Sequence, residues 1–211
     1  MPPKVKKPAG AVVRNPDRTR QRILDAALKE FSARGFAGAR VGGIARSAKI
    51  NKRMLYHYFT DKEGLFRAVL HTKLAERMER FQSYAPAGLA EGLPLLFQQN
   101  CDDADWVRLT AWESLQTGKG SLYSWPDRRR RAIFTNKLIR SQQKDGHLRP
   151  DSKPEHLHLA LASLAVFPMA LPQLARVITG LAPDNPKFQR EYRRFLETIS
   201  AAFHPSTVAQ K

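Results

Sequence analysis

A single cysteine, Cys101, stands in 211 residues. No disulfide can form within the chain, and such cysteine usage fits a reducing cytoplasm. Acidic residues are scarce as well. Asp and Glu total 19 against 36 Lys and Arg, leaving a net charge of +17 and a pI near 10.5. A protein this basic suits an anionic partner, whether DNA, RNA or an anionic membrane surface. No apolar run is long enough to span a bilayer. The richest, residues 157–178, is interrupted by His158, Ser163, Pro168, Pro172, Gln173 and Arg176 and reads as a buried helix. The first 17 residues lack a sustained apolar core, so neither a signal peptide nor a membrane partner is expected. Catalytic signatures are missing too: no phosphate-binding loop, dinucleotide fingerprint, H-E-x-x-H or G-x-S-x-G occurs. His156 and His158 lie two apart on an expected helix and diverge, which makes a poor metal pair. The chain is read as no enzyme, with no metal and no cofactor.

What the sequence does hold is helical periodicity from end to end, without strand alternation, so the fold class is all-α. Its most informative stretch is N-K-R-M-L-Y-H-Y-F-T-D-K-E-G-L-F, residues 51–66. Asn51 can cap a helix through its side-chain oxygen. Met54, Leu55, Tyr58 and Phe59 offer that helix an apolar back, while Lys52, Arg53 and His57 can point away from it. Such a helix suits the DNA major groove; taken alone, it equally suits an ordinary amphipathic surface. Two helices precede it. Residues 19–36 carry Ile23, Leu24, Ala27 and Phe31 at helical spacing, with Gly35 as an expected left-handed cap. Residues 41–48 make a short helix buried through Val41, Ile44 and Ala45. Three helices, the last two short and tightly joined, form a helix-turn-helix unit.

Charge follows the same division. Residues 1–83 hold 19 basic and 7 acidic side chains, a net of +12, while the remainder carries +5. Positive charge gathered around a helix-turn-helix is what phosphate binding requires. The aromatic residues fall at core spacing rather than on an open stacking platform, which argues against RNA.

The run T-R-x-x-I-L-x-A-A from Thr19, Phe31, Gly35-Phe36, Ile44-Ala45 and L-Y-x-Y-F-x-D-K-E-x-L-F from Leu55 resembles the DNA-binding domain of TetR/AcrR-family transcriptional regulators. The match holds register over about fifty residues. Beyond it the likeness rests on length and helical architecture. The resemblance implies three regions: a basic arm at 1–16, a helix-turn-helix domain at 17–64, and a helical effector-binding and dimerisation domain at 65–211. It assigns Asn51, Lys52, Arg53 and His57 to bases or nearby phosphates of a double-stranded operator, and Tyr56 and Lys62 to phosphates. Lys49 replaces the glycine usual in the turn, which implies strain or an added phosphate contact. Gly42 and Gly43 replace polar helix formers, and Ala39 and Arg40 replace the usual Thr or Ser cap. The second helix is therefore expected to be loose.

Further helices are expected at 62–84, 93–100, 104–116, 126–144, 154–180 and 186–203, the fifth kinked by Pro168 and Pro172. Met78, Phe81, Phe97, Trp106, Trp112, Phe134 and Phe167 are large residues on helices around a bundle centre. By resemblance they line a cavity for a small hydrophobic or aromatic effector, with Asn100, Gln116 or His147 available to orient it. Leu164, Leu171, Phe188, Tyr192, Phe195 and Ile199 form stripes on the last two helices. These stripes serve either the subunit core or a homodimer, and the resemblance favours the homodimer. The run Arg128 to Arg131 reads first as a solvated helix face. The function implied is a ligand-responsive DNA-binding repressor acting in a bacterial cytoplasm. The alternative is a helical small-molecule or partner-binding protein that kept the fold but lost operator recognition.

Overall fold

The computed structural model describes residues 15–84, 89–117, 123 and 125–203. Most of the expected basic arm, the 85–88 connection and the 118–120 turn lie outside these residues, and side-chain surroundings are not described for 82–91 or 117. Ten helices follow in order: α1 (Pro16–Gly38), α2 (Val41–Ser47), α3 (Lys52–Tyr58), α4 (Lys62–Tyr84), α5 (Leu89–Asp102), α6 (Ala104–Thr117), α7 (Trp125–Lys144), α8 (Pro154–Ala170), α9 (Pro172–Thr179) and α10 (Pro186–Ala202). No strand occurs among the described residues.

Helix α1 starts earlier than its apolar periodicity suggests. Asn15 Oδ1 accepts from the backbone N–H of Asp17 at 3.0 Å and of Arg18 at 3.2 Å, and Pro16 occupies the first helical position. That cap-and-proline pair starts the helix inside the stretch assigned to the arm. At the other end Gly35 has φ 67° and ψ 176°, so it is not the expected left-handed cap. It makes a kink in a region open essentially to glycine alone, and one more turn continues to Gly38.

Three expectations for the other helices need correction. Helix α5 begins at Leu89 rather than 93, with Pro94 tolerated in its second turn. Val41 is half-buried, and α2 is anchored by Ile44 and Ala45. The expected helix 154–180 is two helices that meet at 93°. Proline 168 stays inside α8, whereas Leu171, at φ −126° and ψ 62°, leaves the helical region directly before Pro172. The proline ring disfavours helical geometry at the preceding residue, so the chain breaks there and restarts.

The core runs through both parts of the molecule. Ile23, Ala27, Phe31, Ile44, Leu55, Leu65 and Phe66 close the three-helix unit over the start of α4. Phe31 and Phe66 meet edge-on at 4.9 Å between ring centroids. Leu93, Phe97, Leu161, Ala165 and Leu196 join α5, α8 and α10. Helix α1 also packs along α6 of the second part, so the two parts share an extensive helix–helix contact.

Candidate DNA-binding face and effector-binding helices

The turn between α2 and α3 sets where α3 points. Ile50 N–H donates to Ala45 O at 3.0 Å and Lys49 N–H to Arg46 O at 3.1 Å, the paired bonds of a Schellman end. Its left-handed position falls on Lys49, at φ 53°, the single non-glycine residue with positive φ among the described residues. A lysine there carries a penalty of roughly 1–2 kcal/mol that glycine avoids. The Arg22 guanidinium donates to the carbonyls of Ala48 and Lys49, placing a cation at the negative end of α2.

Helix α3 then begins on Asn51, whose Oδ1 accepts from Met54 N–H at 2.7 Å. Leu55 and Phe59 are buried beneath it, and Arg20 lies 5.5 Å over the Phe59 ring. Lys52, Arg53, Tyr56 and His57 are all exposed on the opposite side. The Lys52 chain crosses Gly42, where an added Cβ would come within 2.9 Å of its Cε. Helix α2 lacks a local side-chain cap, but Glu30 on α1 fills that role from outside. Its Oε1 accepts from Arg40 N–H at 3.1 Å.

Lys62 is half-buried at the head of α4. Its Nζ donates to Ala37 O at 3.2 Å and sits 4.9 Å over the Phe36 ring. One ammonium proton is thus committed, and two remain for a phosphate.

In the second part, buried polar groups tie the helices together. Lys73 Nζ meets Asp103 Oδ2 at 2.9 Å, and Arg77 Nη2 donates to Asn100 Oδ1 at 2.7 Å. Asn100 Nδ2 passes the connection to Ala165 O at 2.9 Å, so Asn100 is a structural linker rather than a group facing a ligand. Glu113 is buried and accepts from Arg128 Nη2 and Tyr123 N–H, each at 2.6 Å. Burial pushes its carboxyl above the usual range, and the Arg128 charge opposes that only partly. The guanidinia of Arg77 and Arg128 lie over the Trp106 ring at 5.6 and 5.5 Å. Between α4 and α7 opens a cavity of about 260 Å³, lined by His71, Leu74, Ala75 and Met78 from α4 and by Asp127, Arg130 and Arg131 from α7. No group of three or more metal-ligating side chains occurs among the described residues. No single helix there is long and apolar enough to cross a membrane.

Comparison with known proteins bears on both parts. Residues 23–69 match the family described as "Bacterial regulatory proteins, tetR family", and residues 94–203 match "Tetracyclin repressor-like, C-terminal domain". The HTH-type transcriptional repressor NicS of Pseudomonas putida is 33% identical over 75% of this chain and 79% of its own. The chain belongs to the TetR family. The HTH-type transcriptional repressor SCO4008 of Streptomyces coelicolor is also similar, 28% identical over 79% of this chain and 86% of its own. Among solved structures, the putative transcriptional regulator SCO4942 from the same organism superposes with a TM-score of 0.75 at 27% identity. That superposition covers 89% of this chain and 98% of the other. TetR-family proteins are DNA-binding transcriptional regulators, not enzymes, and this chain is one of them.

Within this TetR-family fold the expected effector residues disperse. Phe97, Trp106 and Phe81 are buried among core side chains, whereas Trp112, Phe134 and Phe167 are exposed. Of the seven, only Met78 borders the α4–α7 cavity. Trp112 instead lies against Gly35, where a Cβ would come within 2.9 Å of its Cε3. The expected interface residues also divide. Leu171 and Phe195 are exposed, Leu164 and Ile199 half-buried, and Phe188 buried inside the subunit. Phe188 stacks on Tyr192 at 5.3 Å, and the Tyr192 hydroxyl donates to Leu164 O at 3.0 Å. Leu174, Val177 and Ile178 on α9 stand out alongside them, 46%, 80% and 67% exposed. Sequence reasoning also missed Arg22 and Glu30, because each acts across a gap in sequence on a helix end it does not adjoin.

Proposed function

We propose that this TetR-family regulator is a repressor that binds a two-fold operator as a homodimer and leaves it when a small molecule occupies the second part. The observation that carries the operator reading is α3, where Lys52, Arg53, Tyr56 and His57 face outward from a buried Leu55 and Phe59. Arg53 and His57, one turn apart, are the groups for base edges, while Lys52, Tyr56, Lys49 and Lys62 serve phosphates. One such helix reads too few base pairs for specificity, so two copies must be held about one DNA turn apart or at a multiple of it.

The apolar residues of α9, with Phe167, Leu171 and Phe195, supply the surface for holding them. Left in water, so many large side chains on adjoining helices favour association. The 17–64 and 65–211 division follows this split of labour, with α4 continuous between the two. Its site of action is the cytoplasm, where its DNA is.

Titrating protein into labelled DNA from its own upstream region, followed by fluorescence anisotropy, tests the proposal. Saturable binding that competes with unlabelled upstream DNA and resists unrelated DNA is the expected result. Equal affinity for both would leave a fold-only binding protein.

A further inference from the structure

The Arg128–Arg131 run, the second half of the α4–α7 cavity wall and the helix that carries the recognition unit meet at one place. Four arginines open α7, and their commitments differ. Arg128 is turned to Glu113 on α6, while Arg130 pairs with Asp127 at the cavity rim. Arg131 is half-buried and lies 5.2 Å over the Phe81 ring, at the cavity's edge. The lining thus holds two guanidinia and an imidazole, His71, with Asp127 as its one carboxylate, which pairs with Arg130. The apolar part of the lining is Leu74, Ala75 and Met78. A carboxylate can take Arg130 away from an exposed partner at little cost, whereas a cation would face two guanidinia against the one carboxylate of the lining, Asp127.

We infer that the cavity between α4 and α7 binds a small amphipathic anion, its carboxylate on Arg130 and Arg131 and its apolar body between Leu74 and Met78. At about 260 Å³ the space falls just below the usual range for drug-sized ligands, which confines the occupant to a short- or medium-chain or single-ring acid. That makes the effector class anionic rather than simply hydrophobic or aromatic. His71 and Met78 both belong to α4, whose first residue, Lys62, lies about 14 Å up the helix axis from His71 at 1.5 Å per residue. An occupant bridging α4 to α7 therefore acts on the helix that joins the recognition unit. This regulatory half rests on the operator-binding reading; the binding itself does not.

Calorimetric titration of the full-length protein without DNA decides the binding. Octanoate is the anionic probe, 1-octanol its neutral counterpart and octylamine its cationic one. Octanoate should bind at least about tenfold more tightly than octanol, and octylamine weakest. Arg130→Gln, at an exposed side chain, should cost octanoate about tenfold while leaving octanol unchanged. Met78→Trp should fill the cavity and abolish octanoate binding, with helix content by circular dichroism retained. Octanol matching octanoate, either variant binding octanoate like the parent, or no octanoate heat at millimolar concentration overturns the inference. In a separate anisotropy assay octanoate should release the parent protein from operator DNA. Binding without release would overturn the regulatory half, whereas failure of the protein to bind any operator would count against the repressor reading alone.

Discussion

Lys49 shows how one side chain can set conformational cost against charge. The turn before the recognition helix needs a left-handed residue, and the chain supplies a lysine at φ 53°. Replacing it with glycine relieves roughly 1–2 kcal/mol of strain but adds roughly 0.5–1 kcal/mol of unfolded-chain entropy. Lys49→Gly should therefore raise stability by up to about 1.5 kcal/mol in urea denaturation; a loss of stability would remove strain from the account. Its effect on DNA runs the other way, because a cation next to Asn51 is lost. Arg53 and Lys62 make a sharper contrast. Arg53→Ala should cost roughly 1–3 kcal/mol and relax preference at one base position, while Lys62→Ala should weaken all sequences alike. Both are read from binding to an operator and its single-base variants. Parent-like binding by both mutants would remove α3 and the head of α4 from the interface.

At the scale of elements, α2 is the one that depends on help from elsewhere. It spans seven residues, begins without a side-chain cap and carries Gly42 and Gly43. Glu30 supplies the missing acceptor from α1, and Arg22 covers the opposite end. Glu30→Ala should cost about 1 kcal/mol and speed amide hydrogen exchange in α2 more than in α1 or α4. Uniform exchange across the three would show that α2 holds itself. What could be read from the sequence follows the same logic. The α3–turn–α4 unit was legible because the Asn51 cap, the buried Leu55 and the exposed Lys52 and Arg53 lie within one short stretch. Glu30 and Arg22 were not, since their partners are 10 and 26 residues away. The α8–α9 break was half legible: both prolines were visible, but only the break at Leu171 follows from which proline the fold lets the helix absorb. The cavity was least legible. Large apolar residues have the same periodicity whether they fill a core, as Phe97 does, or border a space, as Met78 does.

For the whole molecule, assembly and charge decide whether two recognition helices reach DNA together. Phe195 is 46% exposed on α10 and belongs to the face proposed to hold the two copies. Phe195→Asp places an unpaired carboxylate in that face and should cost several kcal/mol of association if both copies lie in the interface. Sedimentation should then report a monomer with little operator binding and nearly unchanged helix content. A parent protein that is monomeric at micromolar concentration would sink the two-fold operator along with the dimer. The amino-terminal 14 residues carry Lys4, Lys6, Lys7 and Arg14. Removing them should make log affinity against log salt shallower, because fewer counterions are released; an unchanged slope would leave them outside the DNA complex.

The contact of α1 with α6 bears on how such regulators can be recombined. Ser32 is buried and donates to Asp105 at 3.0 Å, and Gly35 gives up its side chain to Trp112. Both contacts attach the first helix of the reading head, not the recognition helix, to the body. A chimera that grafts the 17–64 unit onto a foreign body would leave Ser32 and Gly35 facing a surface never shaped for them. The workable seam runs on the far side of the α1–α6 contact, so a transplanted reading head should travel with the α6 residues that Asp105 and Trp112 represent.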